Sequence, residues 1–177
     1  MKELFKELPV IKGEKVILRP ITQDDHDGLK ELVTSDEVYK LEPTFLFERK
    51  YKDVHEVIDR LYDEAPREGS LILGVFLNGE FCGLAEMYGY KKELHKISIG
   101  ARFLKKYWGM GIGSDVAKSM VGFLQNETDI EIIAASSLPA NKGSAAVMRK
   151  AGFELVVQDS DEDWGFDKPL ATDKWII

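Results

Sequence analysis

Cysteine occurs once in the 177 residues, at Cys82, so the chain can form neither an internal disulfide nor a cysteine-based metal cluster. Long hydrophobic runs are also missing: no stretch approaches the ~20 apolar residues of a membrane-spanning helix. Met1–Glu7 carries acidic and basic charges in place of a signal-peptide apolar core, which predicts a cytoplasmic protein with no membrane partner. An excess of basic charge is absent. With 24 Lys and Arg against 31 Asp and Glu, the formal net charge of −7 disfavours nonspecific nucleic-acid binding. The same acidity serves either solubility or the attraction of a cationic substrate. His26, His55 and His95 form no metal-ligand pair by spacing, so no metal is expected. There is no internal repeat, and the length fits one domain spanning residues 1–177.

Glycine, by contrast, is concentrated where it can matter. Trp108-Gly109-Met110-Gly111-Ile112-Gly113-Ser114 places three glycines on alternate positions between a predicted strand and a predicted helix. Glycine permits dihedrals closed to other residues and a close approach of the main chain to a ligand. Where such a loop enters a helix, unpaired amides and the positive end of the macrodipole favour an anionic group. The dinucleotide fingerprint Gly-x-Gly-x-x-Gly fits poorly, because from Gly109 the third glycine falls one position early and Ser114 stands in its place. The nucleoside-triphosphate loop fails for want of its Lys-Ser/Thr end. A phosphate-binding turn of another kind and a ligand-free structural turn both remain.

Periodicity orders the rest. Residues 15–21 read as a strand, and Thr22 with Asp25 as a capping box opening a helix through Leu29, Leu32 and Val33 that ends near Thr34. An irregular aromatic segment from Pro43 to Phe47 precedes an amphipathic helix over Lys52–Glu64. Leu71–Leu77 and Glu80–Tyr90 flank Asn78-Gly79, a strong hairpin signal. A strand over His95–Leu104 leads into the glycine loop and a helix over Asp115–Gln125. A strand at Glu131–Ala135, a helix at Asn141–Lys150, and strands near Phe153–Val157 and Trp164–Trp175 follow. Antiparallel strands first and βαβα afterwards predict an α+β fold, with a mostly antiparallel mixed sheet of six to seven strands and helices on both faces.

The glycine loop and the later Asn141-Lys-Gly-Ser144-Ala-Ala-Val147-Met148-Arg-Lys150-Ala-Gly152-Phe153 together resemble the GNAT superfamily of acyl-CoA-dependent N-acyltransferases. Its loop is Gln/Arg-x-x-Gly-x-Gly/Ala, and its later helix reads Asn-x-x-Ser/Ala with Gly-Phe at the end. Here the loop is Trp108-x-x-Gly111-x-Gly113, with Trp in place of Gln/Arg. Tyr107-Trp-Gly-x-Gly111, together with Leu18-Arg19-Pro20 and the acidic stretch after it, is similar to the branch that acetylates the N-termini of ribosomal proteins and related small amines.

The resemblance implies a GNAT-like fold over roughly residues 13–175 and transfer of an acetyl group from acetyl-CoA to a primary amine in a ternary complex. By resemblance, the amides of Gly109, Met110, Gly111, Ile112, Gly113 and Ser114 take the pyrophosphate, with Trp108 either touching the ligand or packing at the loop base. The strand end at Phe103 and Leu104 pairs with the pantetheine arm, and Asn141 bonds that arm. Lys105, Lys106, Arg149 and Lys150 are either phosphate partners or solvated surface charges. A main-chain amide of the His95–Leu104 strand meets the oxyanion where the following strand splays away.

Glu86, in Leu84-Ala-Glu-Met-Tyr88, is either the general base or a glutamate on the polar face of its strand. Ser98 stands where the branch often carries a glutamate before Ile-Gly, and Met148 where many members carry a proton-donating tyrosine. That leaves Ser144 as proton donor or relay, or as a helix-starting residue. Pro43–Lys52 and Asp159–Asp167, with Phe45, Phe47, Tyr51, Trp164, Phe166 and their acidic neighbours, are expected to border a groove for a cationic amine, which is a protein N-terminus or a small molecule. A non-catalytic acyl-CoA-binding protein is the alternative, and the resemblance allows a homodimer.

Overall fold

In a computed structural model that describes residues 7–40, 46–164 and 166–177, the chain forms one eight-stranded sheet with helices on both faces. The strands are β1 (Ile11–Lys12), β2 (Val16–Arg19), β3 (Leu71–Leu77), β4 (Glu80–Lys91), β5 (Lys96–Phe103), β6 (Ile132–Ser137), β7 (Glu154–Glu162) and β8 (Leu170–Ile176). Their order is β1-β2-β3-β4-β5-β6-β8-β7, and β5 with β6 is the one parallel pair among the described residues. The eighth strand, beyond the six to seven expected, is the two-residue β1, too short to leave a periodic signal. Among the described residues no helix is long and apolar enough to cross a membrane.

Helices α1 (His26–Val33), α2 (Asp36–Tyr39) and α3 (Val54–Glu64) cover one face, and α4 (Ile112–Glu127) and α5 (Lys142–Lys150) the other. Alternation along the strands feeds both cores. Ile72 and Leu84 pack with Leu29, Leu32, Val57 and Leu61, whereas Leu73, Ala85 and Ile97 pack with Val116, Met120 and Leu124. The Asn78-Gly79 hairpin forms as predicted, with φ of 52° and 86° at its two turn residues.

Several boundaries move. The first helix begins as a 3₁₀ turn at Gln23–Asp25, because Asp25 accepts the Thr22 amide at 2.9 Å and also binds the Arg19 guanidinium through both oxygens. Helix α4 starts three residues before the expected Asp115, so Ile112, Gly113 and Ser114 are its first turn and not loop. Strand β7 runs on to Glu162, and β8 starts only at Leu170, not at Trp164.

One feature of the sheet creates the site. β4 and β5 stay paired from Tyr88↔Ser98 to Gly83↔Phe103, but β5 and β6 pair only at Lys96↔Ile132, Ile97↔Ile133 and Ser98↔Ala134. Beyond those rungs β6 turns its pairing to β8, and Ile99–Phe103 keep a neighbour on the β4 side alone. A wedge opens between the two strands.

Candidate active site

The wedge is the mouth of a cavity of about 670 Å3. Ile99–Phe103 of β5 line one wall, Ala135–Ser137 of β6 with Asn141, Ser144 and Val147 line another, and the start of α4 closes a third. The Leu104 amide donates to the Cys82 carbonyl on the β4 side. Main-chain groups alternate along a strand, so those of Arg102 and Gly100 face β4 as well, and those of Ile99, Ala101 and Phe103 face the open edge. The Phe103 carbonyl is taken by the Trp108 indole N–H at 2.8 Å. Beyond the Ser98↔Ala134 rung, the Ile99 carbonyl and both main-chain groups of Ala101 have no strand partner among the described residues and are able to bond an extended ligand or an oxyanion.

At the helix end, Gly109 and Gly111 have φ of 76° and 79°, a left-handed backbone that other residues adopt at a cost. The first i→i−4 bond of α4 runs from the Asp115 amide to the Gly111 carbonyl, so the amides of Ile112, Gly113 and Ser114 have no partner within the helix. Those donors and the helix dipole favour an anion. Gly113 is glycine for a different reason: a Cβ there would stand 3.1 Å from a Val147 methyl and 3.5 Å from the Phe103 ring.

A cation that the sequence did not single out stands beside this turn. Lys15 Nζ lies 3.3 Å from the Met110 carbonyl, held there because the Lys15 amide is fixed by Asp115. Lys105 and Lys106, candidates for phosphate contact, are instead paired with Glu37 and Glu31, and Arg149 stacks 5.2 Å from the Trp175 ring centroid. Lys150 does line the cavity.

Of the residues the sequence singled out, Glu86, Phe103, Trp108, Gly109, Gly111, Ile112, Gly113, Ser114, Asn141 and Ser144 all line this one cavity. Leu104 and Met110 do not. Leu104 is buried in the core on the α1–α3 side with its amide committed to Cys82, and the half-exposed Met110 offers its carbonyl to Lys15. The Asn141 side chain is an N-cap for α5, accepting the Ser144 amide at 3.0 Å. Ser144 Oγ has no hydrogen-bond partner among the described residues.

The expected acceptor groove needs correction on one side. Phe47 and Glu48 are buried, not on a rim, and Tyr51 is bonded to Glu64. Pro43, Thr44 and Phe45 lie outside the described residues. On the other side Glu162, Asp163 and Trp164 line the cavity, whereas Phe166 stands exposed away from it. Burial pulls the Glu162 carboxyl up, but Lys174, Trp164 and Thr172 outweigh it and hold it below the ordinary glutamate range.

Beneath Glu86 lies a buried cluster with no counterpart in the sequence reading. Glu48 grips Arg102 through both carboxylate oxygens and accepts the Tyr39 hydroxyl at 2.9 Å. Arg102 Nη1 donates to Glu86 at 3.1 Å, and Ser70 Oγ donates to the other Glu86 oxygen at 3.2 Å. Burial works against the Arg102 charge, yet Glu48 and Glu86 hold its pKa well above the ordinary value, and burial beside Glu48 pushes the Tyr39 phenol up. The sequence clue was a lone arginine at a buried position of an apolar strand, which requires a carboxylate partner.

This geometry, an unpaired strand edge beside a glycine-built helix start with a carboxylate on the wall, is suited to holding a long phosphate-bearing chain against a second reactant. A family model described as "Acetyltransferase (GNAT) domain" matches residues 15–154. A GNAT-family acetyltransferase from Bacillus anthracis superposes with a TM-score of 0.79 at 21% identity, covering 96% of this chain and 98% of that one. RimL, a ribosomal L7/L12 alpha-N-protein acetyltransferase in complex with coenzyme A, gives 0.79 at 15% identity, covering 96% and 97%. A spermidine N-acetyltransferase from Vibrio cholerae in complex with CoA and spermine gives 0.74 at 13%, covering 92% and 95%. No curated protein matches the sequence. The fold and the family model together establish that the chain belongs to the GNAT family of acetyl-CoA-dependent acetyltransferases.

Proposed function

We propose that this protein moves an acetyl group from acetyl-CoA to a primary amine by direct attack in a ternary complex. The observation that carries the reading is the convergence, on one cavity, of the first-turn amides of α4, the open edge of β5 and the Glu86 carboxylate. The pyrophosphate would lie on the amides of Ile112, Gly113 and Ser114, with Lys15 and Lys150 as nearby cations, and the pantetheine arm along Ile99 and Ala101.

Glu86 takes the proton from the acceptor ammonium, and the freed nitrogen lone pair attacks the thioester carbonyl. A new N–C bond forms as the C–S bond breaks. The nitrogen loses its second proton as the amide forms, Ser144 relays that proton to the departing thiolate, and a β5 amide facing the wedge meets the oxyanion. An α-amino group, with a pKa near ~8, asks less of such a base than a lysine near ~10.4. A protein N-terminus, or another amine of comparably low pKa, is therefore the easier acceptor. The neighbours named above act on a protein α-amine in one case and on spermidine in the other.

A reading without catalysis is favoured by one observation: Met148, at the position of the tyrosine many family members use as acid, is buried in the core. The two are separated by calorimetric titration with acetyl-CoA, with dephospho-CoA and NAD as controls, followed by thiol release against N-terminal peptides, spermidine and free amino acids. Micromolar binding, about −8 kcal/mol, with NAD inert and thiol release on one amine class supports the enzyme. Saturable binding without turnover on any amine supports a binding protein.

A further inference from the structure

We propose that Arg102 and Glu48 are positioning residues for Glu86. The buried guanidinium fixes that carboxylate at the cavity wall, while Glu48 draws off the positive charge that would otherwise lock Glu86 into a closed ion pair. The inference rests on the reading of Glu86 as the base.

Its first ground is the division of the arginine's donors. Nε and Nη2 both go to Glu48, leaving Nη1 alone for Glu86. The fork is the strong, planar arrangement of an Arg–carboxylate pair, and the single bond is the weaker one. Glu48 is further occupied by the Tyr39 hydroxyl and is almost wholly buried. Glu86 has one partner on each oxygen, and a carboxylate has about four acceptor sites. It keeps capacity for a proton.

The second ground is charge. Two carboxylates face one guanidinium, so the trio carries an uncompensated negative charge inside the protein, where such a charge is expensive. The pairing pattern places it on the member that reaches the cavity. The third ground is access. Gly100, directly across from Glu86 on β5, has no side chain, and a Cβ there would meet nothing nearer than Tyr88 at 3.6 Å, so the wall over the carboxylate is open. Gly83 lets the β4 backbone close on the Arg102 carbonyl, where a Cβ would collide.

Among the described residues, Arg102 from β5 binds Glu86 directly, Glu48 from the turn at Phe47–Arg49 and Tyr39 from α2 join it through Arg102, and Tyr88 of β4 and Glu37 of α2 line the same cavity. Replacing Glu48 removes a negative neighbour and leaves the guanidinium to Glu86 alone. The carboxylate form of Glu86 is then favoured, and the pH at which it takes up a proton falls.

The test is a pH titration of the Glu86 carboxyl signal in 13C-glutamate-labelled protein, assigned by its loss in Glu86→Gln. In Glu48→Gln the midpoint is expected to fall by about one pH unit or more. The double variant Glu48→Gln/Arg102→Met removes the cation bound to Glu86 as well, so its midpoint should lie above that of the wild type, which keeps the test decisive if the single variant does not fold. A midpoint that stays at its wild-type position in the foldable variants overturns the proposal, since a merely structural cluster would change melting temperature and not titration. Failure of the underlying reading looks different. Thiol release by Glu86→Gln at the wild-type rate removes Glu86 as the base whatever its midpoint does.

Discussion

The Asp115 carboxylate lies 2.7 Å from the amide nitrogen of Lys15, a residue 100 positions earlier in the chain. The same side chain also accepts the amides of Glu14 and Val16, at 2.9 and 3.1 Å. One helix-start aspartate thus secures the β1–β2 turn to the first turn of α4 and sets Lys15 beside the glycine loop.

Asp115→Asn puts an amide donor in place of one oxygen, facing either the Glu14 amide or those of Lys15 and Val16. It is expected to cost about 1–3 kcal/mol, read as a lower midpoint in urea unfolding. Acetyl-CoA affinity should weaken with it, because Lys15 and the α4 turn lose their common anchor. An unchanged unfolding midpoint would mean the carboxylate is dispensable to this join.

Gly111→Glu brings a negative side chain to the helix start at a position of φ 79°. The backbone cost is about 1–2 kcal/mol, small enough for a folded protein. Acetyl-CoA binding by calorimetry is expected to be lost through repulsion of the pyrophosphate. Affinity equal to the wild type would show that the phosphates lie elsewhere.

Gly122, in the interior of α4, has nothing within 4 Å of where a Cβ would be. Gly122→Ala should therefore stabilise the protein by about 0.5–1 kcal/mol, with acetyl-CoA affinity unaltered. A fall in thermal midpoint would contradict the open space.

Burial pulls the Asp25 carboxyl up, but hydrogen bonds from Arg19 and Thr22 outweigh it and hold its pKa below the ordinary 3.8. A carboxylate depressed in the folded state adds stability above its unfolded pKa and loses it as pH falls through the folded value. Wild-type stability should therefore drop as pH falls below about 4. Asp25→Asn should be less stable at neutral pH and show a shallower acid limb in urea titrations across that range. Parallel curves for the two proteins would remove Asp25 from the acid response.

What the sequence revealed was local chemistry. Asn78-Gly79 can make one kind of tight turn, and the apolar spacing of Val116, Met120 and Leu124 fits one face of a helix, so both were legible. The start of α4 was not, because Ile112-Gly113-Ser114 carries glycine, a residue that reads as loop, while here Gly113 sits in the helix where a Cβ would crowd Val147 and Phe103. The loop, Asn141 and Ser144 were found by motif and Glu86 by its place in an apolar strand, and all of them except Met110 share a cavity. Glu48 and Arg102, 54 residues apart, meet only because α2, the turn after Leu46 and β5 converge, and no periodicity encodes that. The edge strand β7 was cut short for a related reason. Gln158-Asp-Ser-Asp-Glu162 has the composition of a loop and is held in the strand because β8 supplies its partners through two irregularities in register, with Asp159 at a φ of 49°.

The brief parallel contact between β5 and β6 makes the sheet a joint as well as a wall. Strands β6, β8 and β7 are attached to the other five through three rungs, at Lys96, Ile97 and Ser98. A ligand laid along Ile99 and Ala101 would extend that seam with rungs of its own, so cosubstrate capture and mechanical stiffening of the C-terminal strands would be a single event. Acceptor amines would then meet a stiffened wall only on molecules already charged with their acetyl donor.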